Sequence, residues 1–160
     1  MKIDLILREL HRSENDLAQK LLHVSERHKV DHEIYHLARD LAGWSQHHVR
    51  EIAEIGRDFG LDLDPEPEGE PGWAEKLRER GSELIGRRSE PELSMLIDLR
   101  EVYTMAAGVS VDWEMLGQAA QGIKNRELLD CTKRCHPDNL RQMRWANGKL
   151  KEACTQILVS

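Results

Sequence analysis

The sequence predicts an all-α protein whose long helices pair into two antiparallel hairpins, and three observations carry that prediction. Apolar residues, 39% of the 160-residue chain, recur at helical steps of three and four over several long stretches. Aromatic residues are only 4%, with Phe59 the only phenylalanine, which disfavours a β-rich core. Tight-turn signals separate the stretches in pairs, and an acidic, proline-rich segment divides the chain near its middle.

The first element spans residues 2–28, where Ile3, Leu7, Leu10, Leu17, Leu21 and Val24 repeat at helical spacing. Asp31 then reads as an N-cap, with Val30 and Tyr35 placed for a hydrophobic staple. A second helix follows through Ile34, Leu37, Leu41, Trp44, Ile52 and Ile55 to Phe59, and Gly60 ends it in the left-handed C′ position. Residues 61–72 alternate Asp62, Asp64, Glu66, Glu68 and Glu70 with Pro65, Pro67, Pro71, Gly69 and Gly72, an extended acidic crossover. A short helix over about 73–85 and one capped by Ser89 with Glu92, running to Gly108, complete the middle of the chain. Asp112 opens a further helix to Cys135, Pro137 breaks it, and a last helix covers about 138–158.

The expected organisation is therefore one domain over 1–160. A helical hairpin spans 2–60, an acidic crossover with extra short helices spans 61–110, and a second hairpin spans 111–158. Two hairpins joined by a long crossover are the topology of a ferritin-like antiparallel four-helix bundle.

Composition narrows the function classes. A net charge of −6, with basic residues dispersed among acidic ones, gives no reason to expect nucleic acid. No apolar run approaches the roughly 18 residues of a membrane span. The amphipathic pattern begins at the N-terminus, so no signal peptide is expected. Three cysteines, an odd number in a chain long enough to fold without staples, fit a reducing cytoplasm.

Each expected apolar seam carries one strongly polar interruption. Glu14 interrupts the first, His48 the second, Glu127 the seam Trp113, Leu116, Ala120, Ile123, Cys131, and Asn147 the seam Leu140, Met143, Leu150, Cys154, Ile157. Counting from the first turn puts Glu14 and His48 within roughly 5 Å along the bundle axis. Counting from a second turn near 135–137 makes Glu127 and Asn147 level. Buried unpaired, such groups cost several kcal/mol each. They must pair with one another, fixing helix register, or hold a metal such as iron, manganese or zinc.

The stretch Glu9-Leu10-His11-Arg12-Ser13-Glu14-Asn15-Asp16-Leu17 with Leu21 resembles the first helix of the YciF-like branch of the ferritin-like superfamily, a stress-protein branch. His48-Val49-Arg50-Glu51-Ile52 through Phe59-Gly60 is similar to the end of its second helix. Ala119-Ala120-Gln121 with Glu127-Leu128 is similar to its third, and Ala146-Asn147-Gly148-Lys149-Leu150 to its fourth. The resemblance implies a bundle holding two metals between carboxylates and histidines. Glu14 matches the first-helix ligand and His48 the second-helix imidazole or amide position, but the carboxylate one turn before His48 falls on Trp44. The third-helix Glu and His fall on Lys124 and Asn125, and the fourth-helix acid on Asn147, beside Met143 and Arg144. A di-metal site needs roughly four carboxylates, so the expectation is a metal-free relative in which Glu14 pairs with Lys124 or Arg144.

Other constellations are sparser. His32 and His36, with His28 four residues earlier, and the pair His47 and Glu51 have the i,i+4 spacing of surface metal ligands, and equally of solvated faces. Cys131 and Cys135 share a helix face, with His136 next to them and Cys154 too far along to join. They are candidates for a thiolate-rich metal site or for thiol redox chemistry, and inert burial explains them as well. Trp73, Trp113 and Trp145 suit packing of the crossover or a partner surface. No phosphate-cradling loop, nucleophile elbow or Ser-His-Asp set is visible. The expected function is non-enzymatic interaction or assembly, as a homodimer. The alternatives are a metal-binding ferritin-like stress protein using Glu14, His48 and Glu127, and a thiol-dependent redox sensor using Cys131 and Cys135.

Overall fold

The computed structural model describes residues 1–69 and 91–160. It is all-helical over these residues, with four long helices: α1 (Ile3–Arg27), α2 (His32–Gly56), α3 (Pro91–Gly122) and α4 (Arg126–Val159). The expected helix over 73–85 lies outside the described residues.

The first hairpin forms where the local chemistry directs it. Ile3, Leu7, Leu10, Glu14, Leu17, Leu21 and Val24 are all buried on one face of α1. The Asp31 side chain accepts from Ile34 N and starts α2, which passes through a 3-10 turn at Arg57–Phe59 into Gly60 at φ +73. The expected staple does not form, because Val30 is exposed and Ser25 Oγ instead donates to the Tyr35 carbonyl at 2.7 Å.

The second hairpin departs from expectation. No break falls at 108–112 or at 135–137: α3 runs straight through Gly108, and α4 carries Pro137 within it, on an exposed face. The turn is at 123–125, where Lys124 adopts φ +54. Lys124 N donates to the Gln121 carbonyl and Asn125 N to that of Ala120, a Schellman termination. The Asn125 side chain then caps α4 by accepting from Leu128 N. A single exposed glycine costs a helix interior only about 1 kcal/mol, less than the buried Val102, Ala106, Val109 and Trp113 supply by continuing on either side of Gly108.

Cross-helix pairs fix the directions. On α1 and α3, Ser13 meets Asp112 while Arg27 meets Asp98, so these helices are antiparallel. On α2 and α4, Glu51 meets Arg134 while Glu33 meets Lys149, so these are antiparallel too. The four helices therefore run up, down, down, up, so α2 ends and α3 begins at opposite ends of the bundle. The described residues after α2 turn back along α1: His11 Nε2 lies 2.7 Å from the Asp64 carbonyl, and Glu68 N donates to Asn15 Oδ1.

Candidate functional site

One polar side chain from each helix meets at mid-bundle: Glu14 from α1, His48 from α2, Trp113 from α3 and Asp138 from α4. Glu14, His48 and Trp113 are completely buried. His48 Nδ1 lies 2.9 Å from Glu14 Oε1, and Trp113 Nε1 donates to the same oxygen at 2.8 Å. On its other side, His48 Nε2 faces Asp138 Oδ2 at 3.3 Å, and Arg141 donates to Asp138 Oδ1 at 2.9 Å. The His48 and Trp113 rings meet edge to face, 6.0 Å between centroids. Burial on its own would depress the His48 pKa. The hydrogen bond and charge of Glu14, then those of Asp138, more than offset this and hold it above its ordinary value.

Glu14 and His48 thus meet, and the rest of the expected cluster does not join them. Lys124 lies exposed in the α3–α4 turn, Glu127 is exposed in the first turn of α4, and Arg144 is exposed on α4. Asn147 is half-buried, 20 residues beyond Glu127 on the same helix, or roughly 30 Å along its axis. The displaced turn causes all of this, because Glu127 and Asn147 were level only about a break at 135–137. Glu14 accordingly pairs with His48 and Trp113, not with Lys124 or Arg144. Glu14, His48 and Glu127 cannot bind one ion together.

Nor does the central layer fit the two metals that the family resemblance implies. It supplies two carboxylates, the imidazole lies between them with both nitrogens engaged, and the third neighbour is an indole N–H, which donates and cannot ligate. His48 takes the position between Glu14 and Asp138, and the two carboxylates favour its protonated form.

The core face of α4 is unusually polar. Buried positions include Thr132, Asn139, Gln142 and Lys149, one step away from the expected seam, whose Leu140, Met143, Leu150, Cys154 and Ile157 are only half-buried. Gln142 Nε2 donates to the Leu41 carbonyl and to Ser45 Oγ, and Asn139 Nδ2 to the Ala106 carbonyl. Hydrophobic periodicity misses a core face built this way.

A second buried charge cluster escaped the sequence reading. Asp98 on α3 is buried against Lys20, Arg27 and His28, with contacts of 3.1, 3.0 and 2.7 Å. Burial raises the Asp98 pKa, but the His28 hydrogen bond and the charges of Lys20 and Arg27 pull it well below the carboxylate range. The available signal was a lone acid beside Leu99 and Val102 on an apolar stripe.

Cys131 and Cys135 do share a buried face, and Glu51 of α2 faces them, with Cys135 Sγ 3.6 Å from Glu51 Oε2. Cys154 lies about five turns beyond Cys135 along α4. His136 turns away, its Nε2 2.9 Å from Ser110 Oγ. That Ser–His contact is no hydrolytic site: both residues are mid-helix, where backbone N–H groups are committed to the helix and none is left for an oxyanion. The exposed His32 and His36 rings stand 6.5 Å apart, centroid to centroid. Trp113 is a buried hydrogen-bond donor, Trp145 is half-buried, and Trp73 lies outside the described residues.

Among the described residues no helix is long and apolar enough to cross a membrane. Comparison with protein-family models, with curated proteins and with solved structures finds no match to this chain.

Proposed function

We propose that this chain is a non-enzymatic, ferritin-like bundle protein with a degenerate, metal-free centre, which acts by assembly, pairing with a second copy through α3. The up-down-down-up order with its bundle-length crossover, and the central layer with one polar group per helix, support the ferritin-like reading. The imidazole between Glu14 and Asp138, with both ring nitrogens engaged, supports the metal-free one. Three cysteines without a disulfide fit a reducing cytoplasm.

The observation that carries assembly is the outer face of α3. Leu93, Ile97, Val111 and Met115 are 40–52% exposed, and at about 100° per residue they share one stripe with exposed Arg100, Thr104 and Gly108. The steps of three and four along this stripe are those of a helix-pairing seam. The stripe is also palindromic. About a two-fold axis at Thr104, an antiparallel copy sets Leu93 against Met115, Ile97 against Val111 and Arg100 against Gly108, the self-complementarity an isologous dimer needs. Beside it, Val111 and Met115 with Leu129, Thr132 and Pro137 of α4 line a groove of about 770 Å³ that can receive partner side chains.

Sedimentation equilibrium tests this reading. The wild-type chain should be a dimer that persists in chelator, and Ile97→Glu with Val111→Glu should give a monomer of unchanged helical circular dichroism. A wild-type protein monomeric at tens of micromolar would sink it.

A further inference from the structure

We propose that Glu51, Cys131 and Cys135, with His47 as fourth donor, form a binding site for one thiophilic divalent cation of the zinc class at the α2–α4 interface. Two i,i+4 pairs face each other there. His47 and Glu51 stand on successive turns of α2, and Cys131 and Cys135 on successive turns of α4. The ligand atoms of Glu51, Cys131 and Cys135 all lie within 4.8 Å of one another. A tetrahedral ion with sulfur at about 2.3 Å and oxygen or nitrogen at about 2.0 Å needs donors at this mutual spacing. His47, one turn before Glu51 on α2 and largely exposed, has its Nε2 3.2 Å from Glu51 Oε1.

The surroundings suit a cation in two further ways. The cluster opens into a cavity of about 500 Å³ lined by Glu54, Asp58, Glu127 and Asp130 besides Glu51, against Arg57 and Arg134, a net negative mouth that concentrates cations. Arg134 meanwhile holds Glu51 Oε2 at 3.0 Å. With both thiols deprotonated, two thiolates and one carboxylate carry three negative charges, and a divalent ion with Arg134 carries three positive, so the filled site is neutral. The two thiol protons leave to solvent as the Cys131 and Cys135 sulfurs bond the ion. Arg134 then acts as the outer partner that orients the carboxylate. In the empty site the hydrogen bond to Cys131 and burial, with the nearby charges, push the Cys135 pKa upward. The site is separate from the central layer and shares no ligand with it.

The test titrates zinc into the reduced, metal-stripped full chain against a chromophoric chelator, with cobalt as a spectroscopic stand-in. The expected result is one equivalent of zinc per chain, protection of two of the three thiols from a thiol reagent, and a cobalt–thiolate charge-transfer band. Cys131→Ser, Cys135→Ser and His47→Ala should each weaken zinc binding by more than the roughly 10–100-fold that losing an outer-shell partner costs. Cys154→Ser should leave it unchanged. Absence of zinc uptake by the reduced chain, uptake indifferent to both Cys→Ser changes, or isolation of the pair as a Cys131–Cys135 disulfide that does not take up zinc after reduction would each overturn the site. Should the serine variants misfold, the wild-type cobalt spectrum decides: no thiolate band, no site.

Discussion

Glu14 and Asp98 are both carboxylates buried between helices, and the bundle holds them in opposite ways. Asp98 has two cations around it, Lys20 and Arg27 from the C-terminal part of α1, still 10% and 18% exposed, and the His28 ring from its C-cap. Glu14 has an indole, an imidazole and no route to water, and both of its donors converge on Oε1. The first is a charge clamp near the rim, where solvent can take over if a partner is lost. The second is a hydrogen-bonded core layer in which every loss stays inside. Burial of the partners, more than the number of partners, therefore sets what each carboxylate is worth.

The largest effect should come from Glu14→Ala. It strands the Trp113 N–H and leaves His48 in a cavity with no polar neighbour on that side, and breaking a buried pair in this manner costs about 3–5 kcal/mol. Urea unfolding should show that loss, and Glu14→Gln, which keeps an acceptor, should recover part of it. Asp98→Ala removes a residue with more partners but should cost less, about 2 kcal/mol after solvent screening of Lys20 and Arg27. Lys20 also retains Glu101. A larger loss at Asp98 than at Glu14 would reverse the comparison, and would mean that Lys20 and Arg27 cannot turn outward.

The two regions also differ in how visible they are in sequence. Glu14 and His48 stand out because each interrupts an otherwise apolar seam, and counting from one short, well-capped turn sets their heights. The same count fails in the second hairpin because Gly108 and Pro137 are louder punctuation than the true turn at 123–125. There the chain reverses on a lysine with positive φ, and the turn is recognisable mainly by Asn125 as an N-cap for α4. Asp138 and Trp113 were missed as partners for a related reason. Hydrophobic pattern reading cannot register a tryptophan as a hydrogen-bond donor, or a core helix face built of Asn139, Gln142 and Lys149. The Glu51–Cys131–Cys135 cluster needed the packing of α2 on α4, which no sequence spacing encodes.

The smallest effect, and the most discriminating, is the pH dependence. The His48 pKa is raised in the fold, so its stabilisation is complete below the unfolded value of about 6.5 and is lost as pH rises through the folded value. The Asp98 pKa is lowered, so its stabilisation is complete above the unfolded value of about 3.9 and is lost only as pH falls well below it. Wild-type stability should therefore decline on the alkaline side through His48 and on the acid side through Asp98. Glu14→Gln should flatten the alkaline arm alone, and Asp98→Asn the acid arm alone. Urea midpoints measured across both arms test the assignment. If Glu14→Gln leaves the alkaline arm as steep as in wild type, His48 is not charged in the fold, and the imidazolium cannot be what stands between the two carboxylates.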